Sequence, residues 1–274
     1  MPQSFFNYSI NMVFSAILNR NFRISVSATT VVFSTAFASR AQAQIQTLNG
    51  AGATFPKPLY QKYASEIRKN HPSMKINYQG IGSSGGIRNI IAGTVDFGGS
   101  DAAITDAEIA KVNRGVMLIP TAGGAVCVVY NLPGVSNLKL SRKSFHLVIF
   151  SGQITKWNDL QIRADNPGVT LPGSSIRTVV RADGSGTSFI FTNHLSNISP
   201  YFKGRIGTRK KPKCLPQSLK GKGNPGVAAL VKRASGSVGY AEYGYAKRNN
   251  LKCAQVQNSS GQFVAPSLET GNVS

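Results

Sequence analysis

The chain has 274 residues, 41% of them apolar, enough for two domains with buried cores. Lysine and arginine outnumber aspartate and glutamate by 31 to 10, and the formal charge of +21 points to anionic partners. Three cysteines do not make a disulfide scaffold, and three scattered histidines (His71, His146, His194) lack metal-ligand spacing.

At the amino end, Arg20 and Arg23 precede "ISVSATTVVFSTAFA" (24–38), an uncharged, mostly apolar run, and then the small-residue motif Ala41-Gln42-Ala43. This order predicts a signal peptide over 1–43, cut after Ala43, with Met12 a second candidate start. The run falls short of the roughly 20 apolar residues that span a bilayer, and no cysteine follows it to carry a lipid. Without 1–43 the charge is still +18.

In the mature part, helical and strand-like patterns alternate. "LNGAGATF" leads into a helix with Tyr60, Tyr63, Ala64 and Ile67 on one face, ended near His71-Pro72. "KINYQ" alternates as a strand, and "GIGSSGG" (80–86) opens a helix bearing Ile87, Ile90 and Ile91. "VDFGG" is a short strand delivering Ser100-Asp101, and Thr105-x-x-Glu108 is a capping box. "VMLIPT" (116–121) and "AVCVVYN" read as strands, 141–150 as helix and 175–180 as strand. "RADGSGTS" (181–188) turns into another helix, a helix starts at Pro225, and "GSVGYAE" is a strand. The alternation predicts an α/β fold with a mostly parallel sheet. Cys127 reads as a buried small hydrophobe, whereas Cys214 and Cys253 lie in polar stretches and are free to pair.

The loop at 80–86 matches two unrelated patterns. Gly80-x-Gly82-x-x-Gly85, with Asp101 further on, has dinucleotide-turn spacing; Gly82-x-Ser84-x-Gly86 has nucleophile-elbow spacing. Neither His146 nor His194 sits where it would serve Ser84 as a base. A third reading needs only amides and hydroxyls. "GAGATF" (50–55), "GIGSSGG" and "RADGSGTS" all combine glycine with serine or threonine beside a strand end or a helix start. Helix N-termini offer unpaired N–H groups and partial positive charge, and Arg181 adds a planar cationic fork. Together these favour a small tetrahedral oxyanion. The densest basic run, 203–223, carries eight Lys or Arg and no acid. Prolines and glycines break it, no nucleic-acid motif accompanies it, and it reads as a solvated loop.

"LNGAGATFPKPLYQKYA", "INYQGIGSSGGIRNIIAGTVDFGGSDA", "ITKWND", "VVRADGSGTSFIFT" and "GSVGYAEYGYAKRNN" resemble the periplasmic phosphate-binding proteins of the phosphate-specific (Pst-type) ABC importer, from about Leu48 to Val264. The resemblance implies a two-lobed, class II periplasmic-binding-protein fold, with lobe I at 46–121 plus 256–274 and lobe II at 122–255. Its members run some tens of residues past the equivalent of Ser274, so lobe I is expected to be incomplete at that end. It implies phosphate contacts from Thr54, the Phe55 amide, Ser83, Asp101, Arg181, Ser185, Gly186 and Thr187, with Asp183 orienting Arg181. It further implies a periplasmic, monomeric receptor without cofactor, metal, catalytic residue or nucleic-acid partner, delivering phosphate to a membrane permease. Another tetrahedral oxyanion such as sulfate or arsenate, a secreted phosphoesterase, and a basic surface-interaction protein are the alternatives.

Overall fold

A computed structural model of the chain describes residues 45–267. The signal peptide and cleavage site expected at 1–43, and the last residues of the expected lobe I, lie outside that range. The elements run β1 (Gln46–Gly52), α1 (Lys57–Asn70), β2 (Met74–Gly80), α2 (Ser83–Ile91), β3 (Phe97–Gly99) and α3 (Asp106–Ile109). Next come β4 (Val126–Asn131), β5 (Lys139–Leu140), α4 (Arg142–His146) with a π turn at Leu147–Ser151, α5 (Leu160–Asp165) and β6 (Arg177–Arg181). Then follow α6 (Gly186–Ile198), α7 (Pro200–Arg205), β7 (Leu219–Gly221), α8 (Gly223–Arg233), β8 (Ser237–Glu242) and α9 (Tyr243–Arg248). The short strands β9 (Lys252–Cys253), β10 (Gln255–Gln257) and β11 (Phe263–Val264) come last.

These form three sheets. One has the order β2-β1-β3 and is wholly parallel. The largest has the order β7-β6-β8-β4-β9. It is mixed rather than mostly parallel: β6 pairs parallel with β7 and β8, but β4 runs antiparallel to both β8 and β9. The antiparallel entry of β4 follows from the chain arriving from the smaller sheet rather than through a βαβ crossover. In the third sheet β10 joins β5 and β11.

The five-stranded sheet is covered on both faces, and the strand period divides its side chains between them. Val128, Tyr130 and Val180 point into the larger core with Phe191, Trp157 and Tyr240; Cys127, Val129 and Val179 point into the other, against Val227 and Val231 of α8. Burying each such aliphatic side chain stabilises by about 1.5–3 kcal/mol. Phe191 stacks on Tyr240 with centroids 4.3 Å apart, and the wholly buried Trp157 donates its indole N–H to Gly236 O at 3.0 Å.

The smaller sheet carries Ile87, Ile90, Ile104 and Val112 as its own cluster. The Thr105–Glu108 capping box forms on both sides. On α1, Tyr60 packs edge-on against Tyr78 at 4.9 Å, but Tyr63 is exposed. The expected strand at 116–121 is absent. That run has no ladder partner among the described residues, and Met117, Leu118 and Ile119 are exposed. Cys253 lies against Cys127, not Cys214, and all three cysteines are free thiols.

Candidate functional site

The three glycine-rich loops meet. Each leaves a parallel strand at its C-terminal end, where open α/β sheets place ligands. The first leaves β1 at Gly52, the second leaves β2 and opens α2, and the third leaves β6 and opens α6.

Ser83, the first residue of α2, is wholly buried. Its Oγ accepts the Gly186 amide N–H at 3.0 Å, joining the N-termini of α2 and α6. It also accepts the Asp101 N–H at 3.3 Å. Ser185 caps α6 by accepting the Ser188 N–H at 3.1 Å, and its own N–H donates to Lys210 O at 2.8 Å. With their oxygens accepting from amides, both serines keep an O–H to donate. Thr187 is buried and donates to Asp101 Oδ2 at 3.0 Å.

Arg181, at the end of β6, is 6% exposed. Asp183 grips it in a fork: Nε donates to Oδ1 at 2.9 Å and Nη2 to Oδ2 at 2.6 Å. Such a bidentate pair fixes the plane of the guanidinium. Gly223 N–H also donates to Asp183 Oδ1 at 2.9 Å. Burial works to raise the Asp183 pKa, but the hydrogen bonds and charge of Arg181 outweigh it and hold the carboxyl below its ordinary value. Nη2 reaches Thr54 Oγ1 at 3.5 Å. The remaining nitrogen, Nη1, is buried with no hydrogen-bond partner in the protein.

Asp101 is the acidic counterpart. Burial pushes its carboxyl up to about 6, against the pull of Thr187 and Arg181. Its Oδ1 is buried and unpartnered. The site therefore presents one orphan donor, on Arg181, and one orphan acceptor, on Asp101.

All eight expected contact residues and Asp183 fall in this region, with the Phe55 ring lying near Gly124. Ser84, the serine of the elbow pattern, is tied through its amide to Gly184 O at 3.0 Å. His146 bonds Arg142 O and His194 leans on the Phe145 ring, so neither is aimed at Ser84.

Residue-level reading missed the most connected group. Asn224 of α8 is wholly buried. Its backbone N–H and its Nδ2 both donate to Thr54 Oγ1 at 3.0 Å, and its Oδ1 accepts the Glu242 N–H at 3.0 Å. The stretch "GKGNPG" that carries it has the same grammar as the three loops: glycines after a strand, a polar residue, then a helix. Tyr78 and Tyr245 were also missed. Their hydroxyls donate to Ala53 O at 2.8 Å and Thr54 O at 2.7 Å, bracing the first loop. Burial raises both phenols, that of Tyr245 to about 12, so each stays a protonated donor.

Gly82 is required where it stands. Its φ of 87° and ψ of 153° belong to a region that only glycine populates readily, and a Cβ there would run into Asp183 Oδ2.

A family model described as a PBP superfamily domain matches residues 38–273. The chain is 47% identical over 242 residues to the phosphate-binding protein PstS of Pasteurella multocida, covering 88% of this chain and 68% of that one. It is also 47% identical over 230 residues to the protein of that name from Haemophilus influenzae, covering 83% and 67%. The chain thus spans about two thirds of the length of these curated relatives. Among solved structures, a high affinity periplasmic phosphate-binding protein, PfluDING, bound with phosphate, shares the fold with a TM-score of 0.62 at 23% identity, covering 81% of this chain and 65% of that one. The chain therefore belongs to the PBP superfamily and, within it, to the phosphate-binding protein family whose curated members are named PstS.

Proposed function

We propose that this protein is an exported solute receptor that holds one inorganic phosphate between two lobes and delivers it to the permease of an ABC importer. The observation that carries the reading is the orphan pair: Arg181 Nη1 donates and Asp101 Oδ1 accepts. A ligand that satisfies both must bring acceptor oxygens and an O–H of its own. Hydrogen phosphate and dihydrogen phosphate do so at neutral pH; sulfate has no proton to offer. The hydroxyls of Thr54, Ser83 and Ser185 and the N-termini of α2 and α6 supply further donors. Asp183 sets the plane of Arg181.

The names of the relatives support this reading, and the fold supports a cleft between the sheet of β1–β3 and that of β4 and β6–β9. We place the lobes at about 46–121 and 122–255; the stretch 256–264, expected with the first lobe, pairs through β10 with β5 of the second. In this reading binding is reversible and no bond is made or broken. Among the described residues no helix is long and apolar enough to cross a membrane. The anion is delivered to a permease that another chain supplies. Five heavy atoms at a ceiling of about 1.5 kcal/mol each give roughly −7.5 kcal/mol, a micromolar dissociation constant. Titration calorimetry of the purified protein with phosphate, then with sulfate, tests the proposal. Heat with phosphate alone is the expected result; equal heats, or none, would overturn it. A chromogenic phosphate ester is expected to give no turnover.

A further inference from the structure

Away from the anion site, two thiols far apart in sequence lie side by side. Cys127 is the second residue of β4 and Cys253 the last of β9, the edge strand paired antiparallel to β4. Val129 stands opposite Cys253 in that register, so Cys127 and Cys253 are diagonal neighbours on one face of the sheet. Both belong to the apolar cluster formed with Val129, Ala241 and Leu251, and their Sγ atoms are 3.3 Å apart. Cys214, the third cysteine, packs against the other core.

We infer that Cys127 and Cys253 form a modification site: an intramolecular disulfide made by exchange with a disulfide-bearing oxidant. Cys253 is half-buried and Cys127 is 3% exposed, which makes Cys253 the entry point. The hydrogen bond between them lowers the Cys253 thiol and raises that of Cys127, so Cys253 supplies the first thiolate. That thiolate attacks one sulfur of the oxidant and expels the other as a thiolate, giving a mixed disulfide. Cys127, losing its proton, then attacks Cys253 Sγ and expels the oxidant's remaining half. The protein loses two electrons and two protons, and the oxidant leaves as two thiols. Bond formation needs the sulfurs to approach from 3.3 Å to about 2.05 Å.

The bond would secure a weakly held strand. β9 has two residues, paired among the described residues only to β4, with Ala254 N–H to Val128 O at 2.8 Å beyond it. The chain enters β4 from the smaller sheet and leaves β9 towards β10, so the link would join the strands at both passages. It would close a loop 126 positions long, a large constraint on the unfolded chain.

The test is oxidation of the purified full chain with glutathione disulfide, followed by non-reducing peptide mapping and thiol titration. The expected result is one reactive thiol left of three, a mass loss of about two hydrogens, and a crosslinked peptide pair containing residues 127 and 253. The oxidised protein is expected to unfold at a temperature higher by roughly 5–10 °C than the reduced one. Cys214→Ser is expected to keep the crosslink and the shift, and Cys253→Ser to lose both. Three reactive thiols after oxidation, a glutathione adduct that persists on Cys253, or a crosslink through Cys214 would each overturn the inference. None of these readings depends on phosphate binding.

Discussion

Thr187 donates its hydroxyl to Asp101 Oδ2 across 3.0 Å, between residues 86 positions apart, and Asp101 Oδ1 is left buried with no protein donor. An ionised carboxylate is acceptor-only, so it opposes any anion that cannot donate to it. Asp101→Asn replaces that acceptor with a group that also donates. Sulfate affinity is then expected to rise about 100-fold or more relative to phosphate affinity, given that such polar matches discriminate by up to ~10⁴. Paired titrations of both forms with both anions measure the ratio; an unchanged ratio places selectivity elsewhere.

The same carboxyl makes the protein pH-sensitive. Burial raises Asp101 from 3.8 to about 6 in the folded state. Between those values the folded state binds more protons than the unfolded one, so the contribution of Asp101 to stability is full below about 3.8 and lost as pH rises through about 6. Its size is on the order of 2–3 kcal/mol. Denaturant unfolding of the ligand-free protein from pH 4 to 8 is expected to lose this component in Asp101→Asn. Protonated Asp101 can also donate, so sulfate binding by the wild type is expected to tighten as pH falls through the same window.

Among the described residues, Arg181 is the one cation that the site's hydrogen bonds place inside it. Arg181→Ala is expected to cost phosphate binding roughly 3–5 kcal/mol, comparable with breaking a buried ion pair. Arg181→Lys keeps the charge but loses the fork to Asp183, and is expected to recover only part. Calorimetry with circular dichroism separates this loss from unfolding; near-normal affinity in folded Arg181→Ala removes Arg181 from the anion.

Gly82→Ala tests the backbone rather than the ligand groups. Strain at φ 87° costs on the order of 1–3 kcal/mol, and the added methyl displaces the Asp183 carboxylate that holds Arg181. Both stability and phosphate affinity are expected to fall. A drop in melting temperature with unaltered affinity would show that Arg181 keeps its position without Asp183.

The basic run gives a kinetic expectation. Lys210 O accepts the Ser185 N–H, and Gly223 N–H holds Asp183, so the backbone of 203–223 is tied to the anion loop within the run and at its carboxyl end. Lys211, Lys213 and Lys220 are exposed and carry no salt bridge among the described residues. Changing these three to glutamine is expected to slow phosphate association several-fold at low salt and to flatten its salt dependence, with dissociation unaltered. Stopped-flow mixing over a salt series measures this.

Features encoded locally were the ones legible in the sequence. Glycine before serine or threonine at a helix start carries its own geometry, so the loops of Thr54, Ser83 and Ser185 stood out, as did the Thr105–Glu108 box. What depends on a partner was not legible. The run at 116–121 has strand composition, but a strand needs a neighbour to bond. Strands of two or three residues, such as β5, β9 and β11, are too short for any period to show. Asn224 reads as an ordinary turn residue before proline, and only the approach of Thr54, 170 positions away, makes it part of the site. The nearness of Cys127 and Cys253 is likewise a matter of register.

Several of the bonds that gather the anion loops are long in sequence: 103 positions from Ser83 to Gly186, 127 from Thr54 to Arg181, and 170 from Thr54 to Asn224. Contacts so distant form late in folding, because the chain must close large loops before they can be made. A partly folded chain therefore has an Arg181 and a Ser83 but no pocket, and capture of the anion marks a molecule that has finished folding. The ligand in turn favours the finished state. At a free concentration a hundred times its dissociation constant, it would add about 2.7 kcal/mol to the unfolding free energy. A phosphate-rich medium would then act as a folding aid for the protein that collects it, and scarcity would expose the protein at its least stable when it is most needed.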